Sequence, residues 1–129
     1  MYREFWKPIR THPNGLFANG LFAGEPAGGS WISKQIRGIC LSLVVHNRAC
    51  SVDVGFYKED KAKRRDKAVA QLFPAAKYPQ ELHESEKCAI VRFPVLDKGI
   101  KDREHWPEIR EKLTKLGADI HKRIKDSDV

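Results

Sequence analysis

At 129 residues the chain has the length of one domain. With 41% hydrophobic and 32% charged residues, it is neither intrinsically disordered nor built for a bilayer. No apolar run approaches the ~20 residues of a membrane span, the opening Met1-Tyr2-Arg3-Glu4-Phe5-Trp6 lacks a secretion signal's apolar core, and three cysteines make neither an even-numbered framework nor a Cys-x-x-Cys pair. A cytoplasmic, membrane-free domain over residues 1–129 is expected, and its net charge of +7 favours an acidic partner.

Tyr2, Phe5, Trp6 and Ile9 recur at helical spacing, so the chain opens with an amphipathic helix that Pro8 kinks or shortens. His12-Pro13-Asn14-Gly15 ends it with turn chemistry. A tandem pentapeptide comes next, Asn14-Gly15-Leu16-Phe17-Ala18 and Asn19-Gly20-Leu21-Phe22-Ala23. Two copies are too few for a solenoid, so a turn-rich segment tucked under the core is expected. Gly28-Gly29-Ser30 is no phosphate loop, because it lacks the Gly-Lys-Ser/Thr ending and a following helix pattern.

Residues 31–36 read as a short strand. Ile39, Leu41, Leu43 and Val45 alternate with Cys40, Ser42, Val44 and His46, the period of a strand with one apolar face. Asn47-Arg48 reads as a two-residue hairpin turn, since Asn takes positive φ readily. Cys50, Val52, Val54 and Phe56 continue on the return strand, with Asp53 and Tyr57 on its other face. This pairing sets Cys50 opposite Val45 and Cys40 near Gly55. Residues 58–67 hold six basic and three acidic side chains and lead into Val69, Leu72 and Phe73, as the exposed start of a helix does. Pro74 and Pro79 break up the segment after this helix, and residues 88–95 form another strand. Trp106, Ile109, Leu113, Leu116, Ile120 and Ile124 then step by three and four along a long helix. Asp102 is its predicted N-cap, and Pro107 suits its first turn. The expected class is α+β: a mainly antiparallel sheet with N-terminal, middle and long C-terminal helices on one face.

Trp31-Ile32-Ser33, Gly38-Ile39, Ala49-Cys50-Ser51-Val52-Asp53-Val54 and Asp102-Arg103-Glu104-His105-Trp106-Pro107-Glu108 fall in a familiar order. With Lys67, Arg92 and Ile109 they make the chain resemble an uncharacterised prokaryotic domain family. That family is often found C-terminal to restriction-endonuclease-like nuclease domains. The resemblance runs from about Phe5 to Ile124. Two features depart from its pattern: Asp53 stands where the family usually has Glu, and the stretch from Pro74 to Pro79 is shorter and more broken. The resemblance implies a free-standing copy of an accessory module. It carries no established activity, so it assigns no catalytic residue.

The chemistry-bearing residues support several readings. Asp53 followed by Glu59-Asp60-Lys61 contains the residue types of a divalent-metal nuclease, but a strand-edge Asp and a solvated helix start is the blander and preferred account. Cys40, Cys50 and Cys88 are read as buried small hydrophobes, not as zinc ligands together with His46. No metal site, cofactor or catalytic group is therefore expected. Between Glu25 and Asp53 there is no acidic residue, and that window holds Trp31, Lys34, Arg37, His46 and Arg48. Lys34, Arg37, Arg48 and Tyr57 on the hairpin side, with Lys61, Lys63, Arg64 and Arg65 at the helix start, are the predicted contacts to DNA or RNA. Trp31 and Trp106 are expected to sit in the core or at its rim. The leading expectation is a non-enzymatic nucleic-acid-binding module. The alternatives are a docking or homodimerisation module, with a nuclease or restriction-type protein as a possible partner and the strand edge near residues 31–36 as the contact, and third a nuclease-like protein.

Overall fold

The structure is a computed structural model that describes residues 2–11 and 29–129. In chain order it contains α1 (Tyr2–Arg10), β1 (Trp31–Ile36), β2 (Ile39–Val45), β3 (Cys50–Phe56), α2 (Lys61–Leu72), β4 (Glu81–Glu84), β5 (Ala89–Leu96), a single 3-10 turn (Arg103–His105) and α3 (Trp106–Lys125). The fold is α+β, as the periodicities predict. The tandem pentapeptide lies outside the described residues.

All five strands pair antiparallel in the order β1-β2-β3-β5-β4. The expected register holds, with Val45 opposite Cys50 and Cys40 opposite Gly55. Alternation sends Leu41, Leu43, Val52, Val54, Val91 and Phe93 to one face, where they form a core with Trp6 of α1, Ala68 of α2 and Ile109, Leu113 and Ile120 of α3. Phe5 meets both Trp6 and Trp106 edge-on, at ring separations of 4.8 and 5.5 Å. All three helices cover this face, for each has one apolar stripe to bury.

Three local expectations are corrected. The left-handed turn is not Asn47-Arg48 but Arg37-Gly38, with φ of 49° and 80°, which closes the β1–β2 hairpin tightly. Asn47-Arg48 turns without positive φ, closed by a 2.8 Å bond from the His46 N–H to the Ala49 carbonyl. Asp102 does not cap α3. Its carboxylate accepts from the Gly99 N–H at 2.8 Å, and His105 stands at the N-cap. Finally, residues 81–84 form the edge strand β4, which their charge and shortness had hidden.

Candidate nucleic-acid interface

The other face of the sheet carries no helix among the described residues. The same alternation that builds the core turns Trp31, Ser33 and Gln35 of β1 to this side, with Cys40, Ser42 and Val44 of β2, Ser51, Asp53 and Gly55 of β3, and Ile90 and Arg92 of β5. Small side chains in the middle and larger ones around them leave a groove of about 360 Å³. Trp31 and Tyr57 are the large aromatic side chains that line it.

The floor of the groove is polar and internally bonded. Ser33 and Ser42 share a hydroxyl–hydroxyl bond of 2.8 Å across β1 and β2. Asp53 is only 8% exposed. It accepts the Ser51 hydroxyl at 2.9 Å and receives Nε and Nη2 of Arg92 from the facing position on β5, at 3.1–3.3 Å. Paired this way, both oxygens of the buried carboxylate have charged or hydroxyl partners. Hydrogen bonding to Asp53 in turn holds the Arg92 guanidinium more firmly protonated than usual, against the opposing effect of burial.

Tyr57 continues β3 and folds back over Gly55. A Cβ at Gly55 would lie 3.2 Å from the Tyr57 hydroxyl, so the missing side chain makes the ring's seat. Burial, and then the neighbouring Cys40 thiol, push the Tyr57 hydroxyl's titration upward, so it is a neutral donor and acceptor near neutral pH. Trp31 is 56% exposed at the start of β1, which corrects the expectation of core or rim packing; Trp106 is buried as expected.

The predicted contact residues are not gathered on one surface. Tyr57 lies on the open face. Lys34 points to the helix side of β1, its neighbour in register being the buried Leu41. Arg48 is exposed in the β2–β3 loop. Lys61, Lys63 and Arg64 belong to α2 on the covered side, with Arg64 stacked 5.8 Å from the Phe56 ring centre. Two of the eight are committed to the fold. Arg65 is buried, donates to the His83 carbonyl at 3.1 Å and pairs with Asp66 and Glu84, tying α2 to β4. Arg37 donates to the carbonyls of Ile124, Lys125, Ser127 and Val129 and so closes the C-terminal end of α3. Arg37→Ala is expected to cost about 1–2 kcal/mol through these charged hydrogen bonds. The loss should appear in hydrogen exchange as fraying confined to the last turn of α3.

Trp31, Ser33, Ser42 and Arg92 are groove residues that sequence reasoning missed. Strand alternation carries the signal, since it sets Trp31 with Ser33 and turns Ser42 and Arg92 away from the apolar positions of their strands, while the pairing of β3 with β5 brings Arg92 opposite Asp53. The carboxylates of the nuclease alternative do not converge. Asp53 is the only acidic residue among the described residues of the groove lining, whereas Glu59 and Asp60 precede α2, beyond the end of β3. Among the described residues no three His, Cys, Asp or Glu side chains are grouped to hold a metal ion. Cys50 is buried, and burial pushes its thiol up to about 11, which suits a small apolar filler. No helix among the described residues is long and apolar enough to cross a membrane. Comparison with protein-family models, with curated proteins and with solved structures finds no match for this chain.

Proposed function

We propose that this protein is a non-enzymatic binding module that lays single-stranded nucleic acid across the open face of its sheet. One observation carries the reading: two exposed aromatic side chains, Trp31 and Tyr57, flank a groove whose floor is made of hydroxyls and a carboxylate–guanidinium pair. Unpaired bases stack on such rings whatever their sequence, and hydroxyl and guanidinium groups between the rings meet base edges and phosphates. The rings are well spaced for this. Trp31 is level with Val44 and Ser51, and Tyr57 lies over Gly55, four residues further along β3. That is about 13 Å along the strands and about 10 Å across them from β1 to β3, a diagonal of roughly 16 Å that two or three nucleotides span. The net charge of +7 attracts any polyanion at long range. The resemblance to a nuclease-associated module agrees with this ligand by analogy.

The test is fluorescence anisotropy of labelled single- and double-stranded DNA and RNA across a salt series. Single strands should bind with a dissociation constant below ~10 µM near physiological salt, more tightly than duplexes, and the affinity should fall steeply as salt rises. Absence of binding at low salt, or a preference for duplex, overturns the reading.

A second reading has one specific observation in its favour. β1 is an edge strand of six residues, and no described strand pairs with its outer side. Two copies can join edge to edge across a two-fold axis. Sedimentation over a hundred-fold concentration range separates a dimer from a monomer.

A further inference from the structure

We infer that Lys34, His121 and Lys125 form a phosphate-binding patch where the edge of the sheet meets α3, and that it holds the sugar–phosphate backbone of the strand whose bases lie on the open face. The inference rests on the proposed function for its ligand, but not for its geometry.

β1 shows its two faces to different surroundings. Trp31 and Ser33 look into the groove, while Lys34 turns to the helix side, opposite Leu41 in register. Lys34 is half-buried on that side, as a lysine is when its stem covers apolar surface and its ammonium group stays in water. The end of α3 is brought to the same edge by Arg37, which stands in the β1–β2 turn and bonds to the carbonyls of Ile124 and Lys125. His121 and Lys125 are one helical turn apart and share a face of α3. Burial of its ring, and then the charges of Lys34 and Lys125, disfavour the His121 imidazolium. The packing of α3 against β1 and the Arg37 bonds to the end of that helix bring the three groups to one edge of the sheet.

Their charge is unanswered. Among the described residues no carboxylate lies within ion-pair distance of Lys34, His121 or Lys125. The nearby acid of α3, Asp119, instead accepts the Tyr78 hydroxyl at 2.7 Å and sits 3.9 Å from Arg123. Asp126 and Asp128 come after the helix as exposed residues. Arg37 supplies positive charge to the patch, with Nη1 and Nη2 engaged by the carbonyls at the end of α3. Cations held together without counter-charge repel one another, and a bound phosphate removes that repulsion. The patch and the groove lie on opposite sides of one edge strand, β1.

The closing experiment has two arms. In the first, an oligonucleotide is titrated against the wild type and against the double variant Lys34→Gln/Lys125→Gln. Loss of two phosphate contacts should lower the slope of log affinity against log salt by about 1.4 for a single strand. The same two contacts correspond to an affinity about 25-fold lower at 0.1 M salt if the two proteins bind equally at 1 M. The control Lys112→Gln/Lys115→Gln makes the same charge change at exposed positions of α3 and should leave the slope unchanged.

The second arm adds inorganic tripolyphosphate to the wild type and follows the His121 ring protons by NMR as pH is varied. Binding should raise the pH at which His121 titrates, and the double variant should lose that response. An unchanged slope in the double variant, or no His121 response in the wild type, overturns the patch. If tripolyphosphate moves His121 while no oligonucleotide binds, the patch stands and the nucleic-acid reading falls. If oligonucleotides bind through Trp31 with an unchanged slope in the double variant, the reading stands and the patch falls.

Discussion

Gly99→Ala is expected to lower stability by about 2–4 kcal/mol, the cost of overpacking together with broken backbone bonds. A methyl group there would meet the His46 carbonyl oxygen at 2.1 Å and the Arg48 nitrogen at 2.7 Å. Both are backbone atoms, so no side chain can rotate away. The two segments are clamped by bonds from the Ile100 N–H to the His46 carbonyl at 2.8 Å and from the Lys101 N–H to the Asn47 carbonyl at 3.1 Å. Separating them loosens the buried Ile100, whose carbonyl accepts the Trp106 indole N–H at 3.0 Å. The disturbance thus reaches the start of α3. Thermal denaturation should show a midpoint lowered by roughly 10 °C for a chain of this size. Gly29→Ala is the control, because among the described residues a Cβ at Gly29 meets nothing within 4 Å. An equal loss in both variants would show that the close approach at Gly99 is not what matters.

Trp31→Ala is the variant with the largest expected effect on binding. A base stacked on an aromatic ring is worth about 1–3 kcal/mol, so affinity for a single strand should fall roughly 5- to 150-fold. Stability should change by less than about 0.5 kcal/mol, since more than half of the Trp31 surface is already in water. Trp31→Phe keeps a stacking face and should retain most of the affinity. Trp6→Ala makes the opposite pattern plain. Trp6 is fully buried and its indole donates to the Gly29 carbonyl at 2.9 Å, so its loss acts on folding. Unchanged binding by Trp31→Ala, with fold intact, removes the aromatic platform from the account.

The residues of the groove were partly legible before the fold was known. Period-two alternation from Ile39 to Phe56 implied the hairpin and its register, and it set Asp53 and Tyr57 away from the core. The stepping of Trp106, Ile109 and Leu113 implied α3. These signals are strong because a strand or helix shows its neighbours one face, and burial selects apolar residues along that face alone. The short β4 escaped notice because each of its side chains is exposed, so burial imposes no pattern on it.

The basic residues separate the two sources of information most clearly. Sequence alone determined that the chain carries an excess of cations, that residues 26–52 lack acids, and that its strands and helices can form one antiparallel layer with helices upon it. It did not say which cations are free. Arg37 and Lys34 stand three residues apart in the same acid-free window, yet Arg37 is consumed by carbonyls as far as 92 residues away, while no described carboxylate answers Lys34. Local periodicity is set by burial within one element, and so it is written along the chain. The partner of a long polar side chain is set by which distant segment arrives beside it, and only the tertiary structure decides that.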